Sequence, residues 1–228
     1  MIAIASALFL ALASVPSLTG PVVDAAGALS QPERVRLEEL AKNARATDGG
    51  NGPQLAFLLV PSLEGEPIES YSIRVAEQWK LGSKQAGNGL LFVVAVQDRE
   101  VRIEVGEGIE GEITDVQASR IIRELIVPAF REGAYGAGLR VAAEQSLTLL
   151  GVDLGQPDHS RSSDVQVPPW IPILLFVAMY FMARKFGIPI GGMGGGGYRG
   201  GGGYRGGGGG GYRGGGGGFS GGGSSGRW

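Results

Sequence analysis

Two apolar runs restrict the fold more than any other feature. Gln54–Val60 (Gln-Leu-Ala-Phe-Leu-Leu-Val) and residues 90–96 are continuous and rich in strand formers. That is the pattern of strands buried on both faces. Between them, Ile68, Tyr71, Val75, Ala76 and Trp79 recur at helical spacing over residues 68–81. Gly87-Asn88-Gly89 then turns the chain into the second run. Strand, helix, strand in that order implies a parallel pair joined by a right-handed crossover.

The flanking segments extend the pattern. Ser30-Gln31-Pro32-Glu33 is a capping box, and the helix it opens carries Val35, Leu37, Leu40 and Ala41 before Asp48-Gly49-Gly50. After a hairpin turn at Gln97-Asp98-Arg99-Glu100, Val101-Arg102-Ile103-Glu104-Val105 alternates apolar and charged, as a half-exposed strand does. Thr114-Asp115-Val116-Gln117 is a second capping box. Its helix runs through Ile121, Ile122 and Leu125, and Pro128 is placed to end or kink it. Residues 139–150 form a last amphipathic helix. The predicted fold is α/β, a mixed sheet of three or four strands sandwiched by helices, plus one C-terminal transmembrane helix and a disordered tail.

Composition divides the chain. Of 43 glycines, 25 fall in residues 191–228. The folded part is then about 140 residues, enough for its own core. Residues 16–155 hold 20 acidic and 13 basic residues, a balance of −7, whereas residues 184–228 hold six basic residues and no acidic one. An acidic domain repels nucleic-acid phosphates and attracts cations or basic partners. Without cysteine there are no disulfides, thiolate metal sites or cysteine nucleophiles. The single histidine, His159, lies in a polar stretch after the domain, which disfavours histidine catalysis.

Residues 2–13 are apolar, short, and end in Ala11-Leu12-Ala13, a small-x-small pattern. They read as a secretory signal that lacks a basic start, or else as a buried N-terminal helix. Residues 165–183 are 19 residues without a full charge. That length crosses a hydrocarbon core of about 30 Å as a helix. Arg184-Lys185 follow at once, so the positive-inside rule places that end in the cytoplasm and the preceding domain outside. The expected organisation is signal peptide 1–14, domain 15–155, linker 156–164, transmembrane helix 165–183 and basic disordered tail 184–228. The tail repeats Tyr-Arg-Gly at Tyr198, Tyr204 and Tyr212 between glycine runs, a composition with too little apolar surface to fold.

Candidate chemistry gathers in Gly106-Glu107-Gly108-Ile109-Glu110-Gly111. It matches G-x-G-x-x-G between a strand and a helix. Glu107, Glu110, Glu112 and Asp115 crowd the place where a pyrophosphate needs positive potential, so dinucleotide binding is rejected. Glu107, Glu110 and Asp115 suit a hard cation such as Ca²⁺, or an acidic cap at a helix N-terminus. Residues 15–155 contain no G-x-S-x-G elbow, and the chain has no P-loop.

Four segments, in order, resemble the signatures of TPM-domain proteins. They are Leu18-Thr19-Gly20-Pro21-Val22-Val23-Asp24 through Ser30, Asn88-Gly89-Leu90-Leu91 leading to Asp98-Arg99, Val105-Gly106-Glu107 through Asp115, and Pro128-Ala129-Phe130-Arg131-Glu132-Gly133-Ala134-Tyr135. The resemblance runs from about Val15 to Leu150. It implies an α/β sandwich in an extracytoplasmic space, periplasmic or extracellular. It implies an accessory, assembly or maintenance role for membrane protein complexes, with possible Ca²⁺ binding, or alternatively acid phosphatase (phosphomonoesterase) activity dependent on metal or carboxylates. Carried onto this chain, the family's acidic positions are Asp24, Asp98 and Asp115. Position 107, often aromatic in the family pattern, is Glu107 here.

Overall fold

The computed structural model describes residues 12–153 and 215–228. The transmembrane expectation at 165–183, the linker and most of the signal segment lie outside these residues. No helix among the described residues is long and apolar enough to cross a membrane.

The elements run β1 (Val22–Asp24), α1 (Gln31–Ala46), β2 (Gln54–Val60), α2 (Ile68–Trp79), β3 (Gly89–Ala95), β4 (Glu100–Val105), α3 (Asp115–Ile121), a π-helical turn (Ile122–Ile126), α4 (Val127–Arg131), α5 (Tyr135–Leu149) and β5 (Gly223–Arg227). They form one sheet of order β1-β2-β3-β4-β5. β1, β2 and β3 are parallel, while β4 is antiparallel to both β3 and β5. β2 and β3 are buried at every position, as their unbroken apolar runs require.

Alternate residues of these strands point to opposite faces, and each face has its own core. Leu55, Phe57, Phe92, Val101 and Ile103 pack with α1, α3 and α5. Phe57 and Phe92 stack across neighbouring strands at 5.1 Å. On the other face Ala56, Leu58, Leu91 and Val93 pack under Tyr71, Val75 and Trp79 of α2. β1, β2 and β3 therefore step one way across the sheet while α1 and α2 lie on opposite faces. The two crossovers then have opposite hands, and one departs from the usual right-handed rule.

Both capping boxes form. The Glu33 carboxylate accepts from the Ser30 amide at 2.9 Å, and Gln117 accepts from the Thr114 amide at 2.8 Å. The Ser30 amide and hydroxyl hold the Glu33 carboxyl below its ordinary value. Pro128 does not end its helix. The turn just before it widens to π geometry, and α4 continues to Arg131. A widened turn accommodates a ring that removes one N–H and crowds the preceding carbonyl.

Three expectations are corrected. The sheet has five strands, not three or four: the sequence reading omitted β1, which is only three residues long, and β5. The tail is not disordered to its end, because residues 215–228 are fitted to the domain and contain β5. The third correction concerns β4, which is not half-exposed. Arg102 and Glu104 are 5% and 0% exposed beneath α2, where they form an ion pair. The Ser72 hydroxyl also donates to Glu104 at 2.8 Å. Alternation showed that one face of β4 is polar, but not that a helix covers it.

The domain also starts slightly earlier than residue 15. Ala13 is buried, its amide donating to Glu66 at 3.1 Å and its carbonyl accepting from Arg74 at 2.7 Å.

Removing one member of the buried pair strands the other charge. Arg102→Met alone should lower the unfolding free energy by roughly 3–5 kcal/mol, whereas Arg102→Met with Glu104→Met should recover most of it. Urea unfolding of both variants checks this; equal losses would assign the cost to packing.

Candidate strand groove and acidic rim

A strand at the edge of a sheet presents unpaired N–H and C=O groups. β4 would be such an edge if residues 215–228 did not lie along it. β5 pairs with it from Glu100↔Arg227 to Glu104↔Gly223. The pairing extends beyond the strand at both ends. Val105 N–H donates to Gly222 O at 3.0 Å and Trp228 N–H to Arg99 O at 3.3 Å. Before β5, Gly215, Gly216 and Gly217 donate to the carbonyls of Gly82, Lys80 and Leu81 at 2.9, 2.7 and 3.0 Å.

Several of these glycines are required by contact. A Cβ on Gly223 would stand 1.9 Å from the Ile103 carbonyl oxygen, and its φ of +125° is one that other residues rarely adopt. A Cβ on Gly226 would meet the Ile122 side chain at 2.5 Å. Two aromatic side chains bracket the segment. Phe219 packs on the α2-face core. Trp228 lies edge-on to Phe130 at 4.8 Å and to Tyr135 at 6.0 Å.

Carboxylates line the segment. Asp115 accepts from the Gly223 amide at 2.7 Å, and Glu110 accepts from the Ser220 hydroxyl. Glu69 on α2 accepts from the Ser225 hydroxyl, and Glu100 pairs with Arg227. Arg102, from beneath, donates to the Gly221 carbonyl at 3.0 Å. The Ser225 hydroxyl is the main reason the Glu69 carboxyl sits below its ordinary value, against the opposing effect of desolvation.

Two clefts flank this arrangement. The larger, about 560 Å³, is bordered by Glu66, Glu69, Asp98, Glu100 and Arg227. The smaller, about 430 Å³, lies between Glu110, Thr114, Asp115 and the segment from Ser220 to Gly222.

The sequence-predicted acidic residues separate into two groups. Glu107, Glu110 and Asp115 come together on the rim at the carboxyl end of β4, all against the C-terminal segment. The Glu107 amide donates to Gly218 O at 3.2 Å. Asp24 and Asp98 stand at the opposite end, Asp24 as the last residue of β1 and Asp98 in the turn after β3. Asp24 accepts from the Ala28 and Leu29 amides at 3.2 and 2.9 Å. Asp98 accepts from the Leu63 amide at 2.8 Å and the Ser62 hydroxyl at 3.3 Å, tying the β3–β4 turn to the loop after β2. Among the described residues, no three acidic or histidine side chains converge as a metal-ligand set.

The first two glycines of the G-x-G-x-x-G match have a structural use. A Cβ on Gly106 would meet Gly87 O at 2.2 Å, and one on Gly108 would meet Ala86 O at 1.7 Å. They let this loop close on the turn before β3. Sequence reasoning missed Glu69, Arg102, Ser225 and Trp228. Glu69 and Arg102 carried no motif. The isolated terminal Trp228 after a long glycine stretch was an available signal.

The fold and groove define an α/β domain whose mixed sheet is completed by an added strand. Residues 22–148 match the family model described as the TPM domain, more than half of the chain, and the chain belongs to the TPM-domain family. The N-terminal domain of a protein from P. gingivalis, solved by solution NMR, is similar in structure. It is 32% identical with a TM-score of 0.52, and the match covers 58% of this chain and 82% of that one. The N-terminal domain of a protein from Corynebacterium glutamicum matches at 16% identity and a TM-score of 0.46, over 64% and 90% of the two chains. No curated protein matches the chain.

The Glu69–Ser225 bond has a titration signature. A depressed carboxyl contributes stability that is present above its ordinary pKa of 4.5 and is lost as pH falls through the lowered value. NMR titration of the Glu69 carboxyl should give a midpoint below 4.5 in the native chain, returning toward 4.5 in Ser225→Ala. Identical midpoints would show that the hydroxyl is not the cause.

Proposed function

We propose that this protein is a membrane-held accessory module. Its acidic domain faces an extracytoplasmic space and binds an extended, basic segment of a membrane protein complex. The apolar run at 165–183 is its contact with the bilayer, reached from the domain's own side. The observation that carries the reading is the larger cleft, about 560 Å³ and open to solvent, lined by Glu66, Glu69, Asp98, Glu100 and one cation, Arg227. Glu66 is paired with Arg74 and Glu100 with Arg227, so Glu69 and Asp98 supply the charge without a salt-bridge partner among the described residues. Carboxylates arranged around such a space favour a cationic partner and speed its encounter. The seryl hydroxyls that touch these carboxylates, Ser62 and Ser225, donate to Asp98 and Glu69.

Calcium enters the reading as a competitor of the C-terminal segment at the rim. The oxygens that Glu110 and Asp115 would offer an ion are those that now accept from Ser220 and Gly223. Millimolar Ca²⁺ should therefore speed hydrogen exchange at the Gly223 amide, and Asp115→Asn should remove that response. Unchanged exchange in the native chain would exclude ion binding at this rim.

The accessory role is tested by cross-linking the full-length chain in detergent-solubilised membranes and identifying what is captured. A membrane protein joined through a basic segment, and lost with Glu69→Gln/Asp98→Asn, is the expected result. Hydrolysis of a generic phosphomonoester by the purified chain, abolished by Asp98→Asn, would replace this reading with the phosphatase one.

A further inference from the structure

We propose that residues 215–228 are a C-terminal latch. The β4 edge is its receptor groove, and the latch closes each chain on its own domain so that the C-terminus stays on the domain's side of the membrane.

The groove is selective for this segment. Main-chain pairing alone would accept any extended chain. Here the backbone of β4 and its surroundings leave no room for Cβ atoms at Gly223 and Gly226, and the Leu81 carbonyl oxygen would lie 2.7 Å from a Cβ on Gly217. The groove therefore reads glycine by close approach. It receives the indole of Trp228 in an aromatic pocket formed by Phe130 and Tyr135. It reads the interior through three acceptor carboxylates, Asp115, Glu110 and Glu69. Arg102 adds a buried donor, 5% exposed, to the Gly221 carbonyl. A segment must satisfy all of these at once, and the chain's own end does.

The occupant is the same chain's tail. Residues 154–214 connect the domain to the latch. Sixty-one residues could span roughly 200 Å fully extended, so chain length does not prevent the segment from reaching the sheet. Intramolecular pairing proceeds at an effective concentration on the order of millimolar, above that of a second copy in solution.

Placement relative to the bilayer follows. A strand can pair only with a sheet in its own compartment. The latch therefore keeps Gly215 on the same side of the bilayer as Asp153. The same holds for exchange between copies, since identical chains share one topology. This inference does not depend on what the acidic cleft binds, so the two readings fail separately.

The chain has no cysteine, which makes the test direct. Val105 and Gly222 form a hydrogen-bonded pair, as do Arg99 and Trp228. By alternation Glu100↔Arg227 is a non-hydrogen-bonded pair, whose Cα atoms approach to about 4.5 Å, within disulfide range. The full-length Glu100→Cys/Arg227→Cys variant, oxidised mildly in its host cells, should give a disulfide within a monomer that reductant reverses. A disulfide-linked dimer, or no disulfide, would overturn the latch. Hydrogen exchange provides a measurement without cysteines: the Val105 and Trp228 amides should be protected in the native chain. Gly223→Val should speed their exchange by roughly tenfold or more if the latch opens as a unit. An unprotected native amide would overturn the proposal. In intact cells a membrane-impermeant thiol reagent should treat Arg227→Cys and Glu132→Cys alike; labelling of only one would place the domain and C-terminus on opposite sides.

Discussion

The open edge of β4 is the constraint on which the rest of the structure turns. A row of main-chain donors and acceptors on a central, otherwise apolar sheet must be paired, covered or hydrated. This protein pairs it with a strand that is almost all glycine and serine. Such a strand contributes little side-chain burial, so its hold rests on backbone hydrogen bonds, a few carboxylates and two aromatic anchors. That is a recognition surface more than a core.

The same edge explains the least expected feature of the interior. Arg102 and Glu104 lie between α2 and the added strand, with Ser72 and the Gly221 carbonyl supplying the polar contacts of their Oε2 and Nη2 atoms. Glu104 Oε1 is buried without a hydrogen-bond partner among the described residues. A buried ion pair offsets little of its own desolvation cost. Its value here is positional: Arg102 is held rigidly enough to present one donor to the strand.

Legibility followed side chains. Gln54–Val60 and residues 90–96 announced buried strands because an apolar run has few other uses at that length. Both capping boxes were readable because a hydroxyl and an acid or amide three residues apart satisfy orphan helix amides. The acidic trio Glu107, Glu110 and Asp115 was also visible. Its engagement with the tail was not, since more than a hundred residues separate the partners. β5 was illegible for a physical reason. Glycine has no strand preference of its own, so Gly-Gly-Gly-Ser-Ser-Gly-Arg becomes a strand only where a waiting edge supplies the hydrogen bonds.

The sequence by itself determined the parallel strand–helix–strand centre, the antiparallel hairpin after it, the helix starts and the TPM-domain family. Each is written in apolar periodicity or in short-range polar spacing. Tertiary structure alone decided that α1 and α2 take opposite faces, that Arg102 and Glu104 are buried, and that the glycine-rich end returns to complete the sheet. Those outcomes depend on backbone groups and on which surfaces remain uncovered once the core has formed. A backbone edge has the same composition whether it is open or filled.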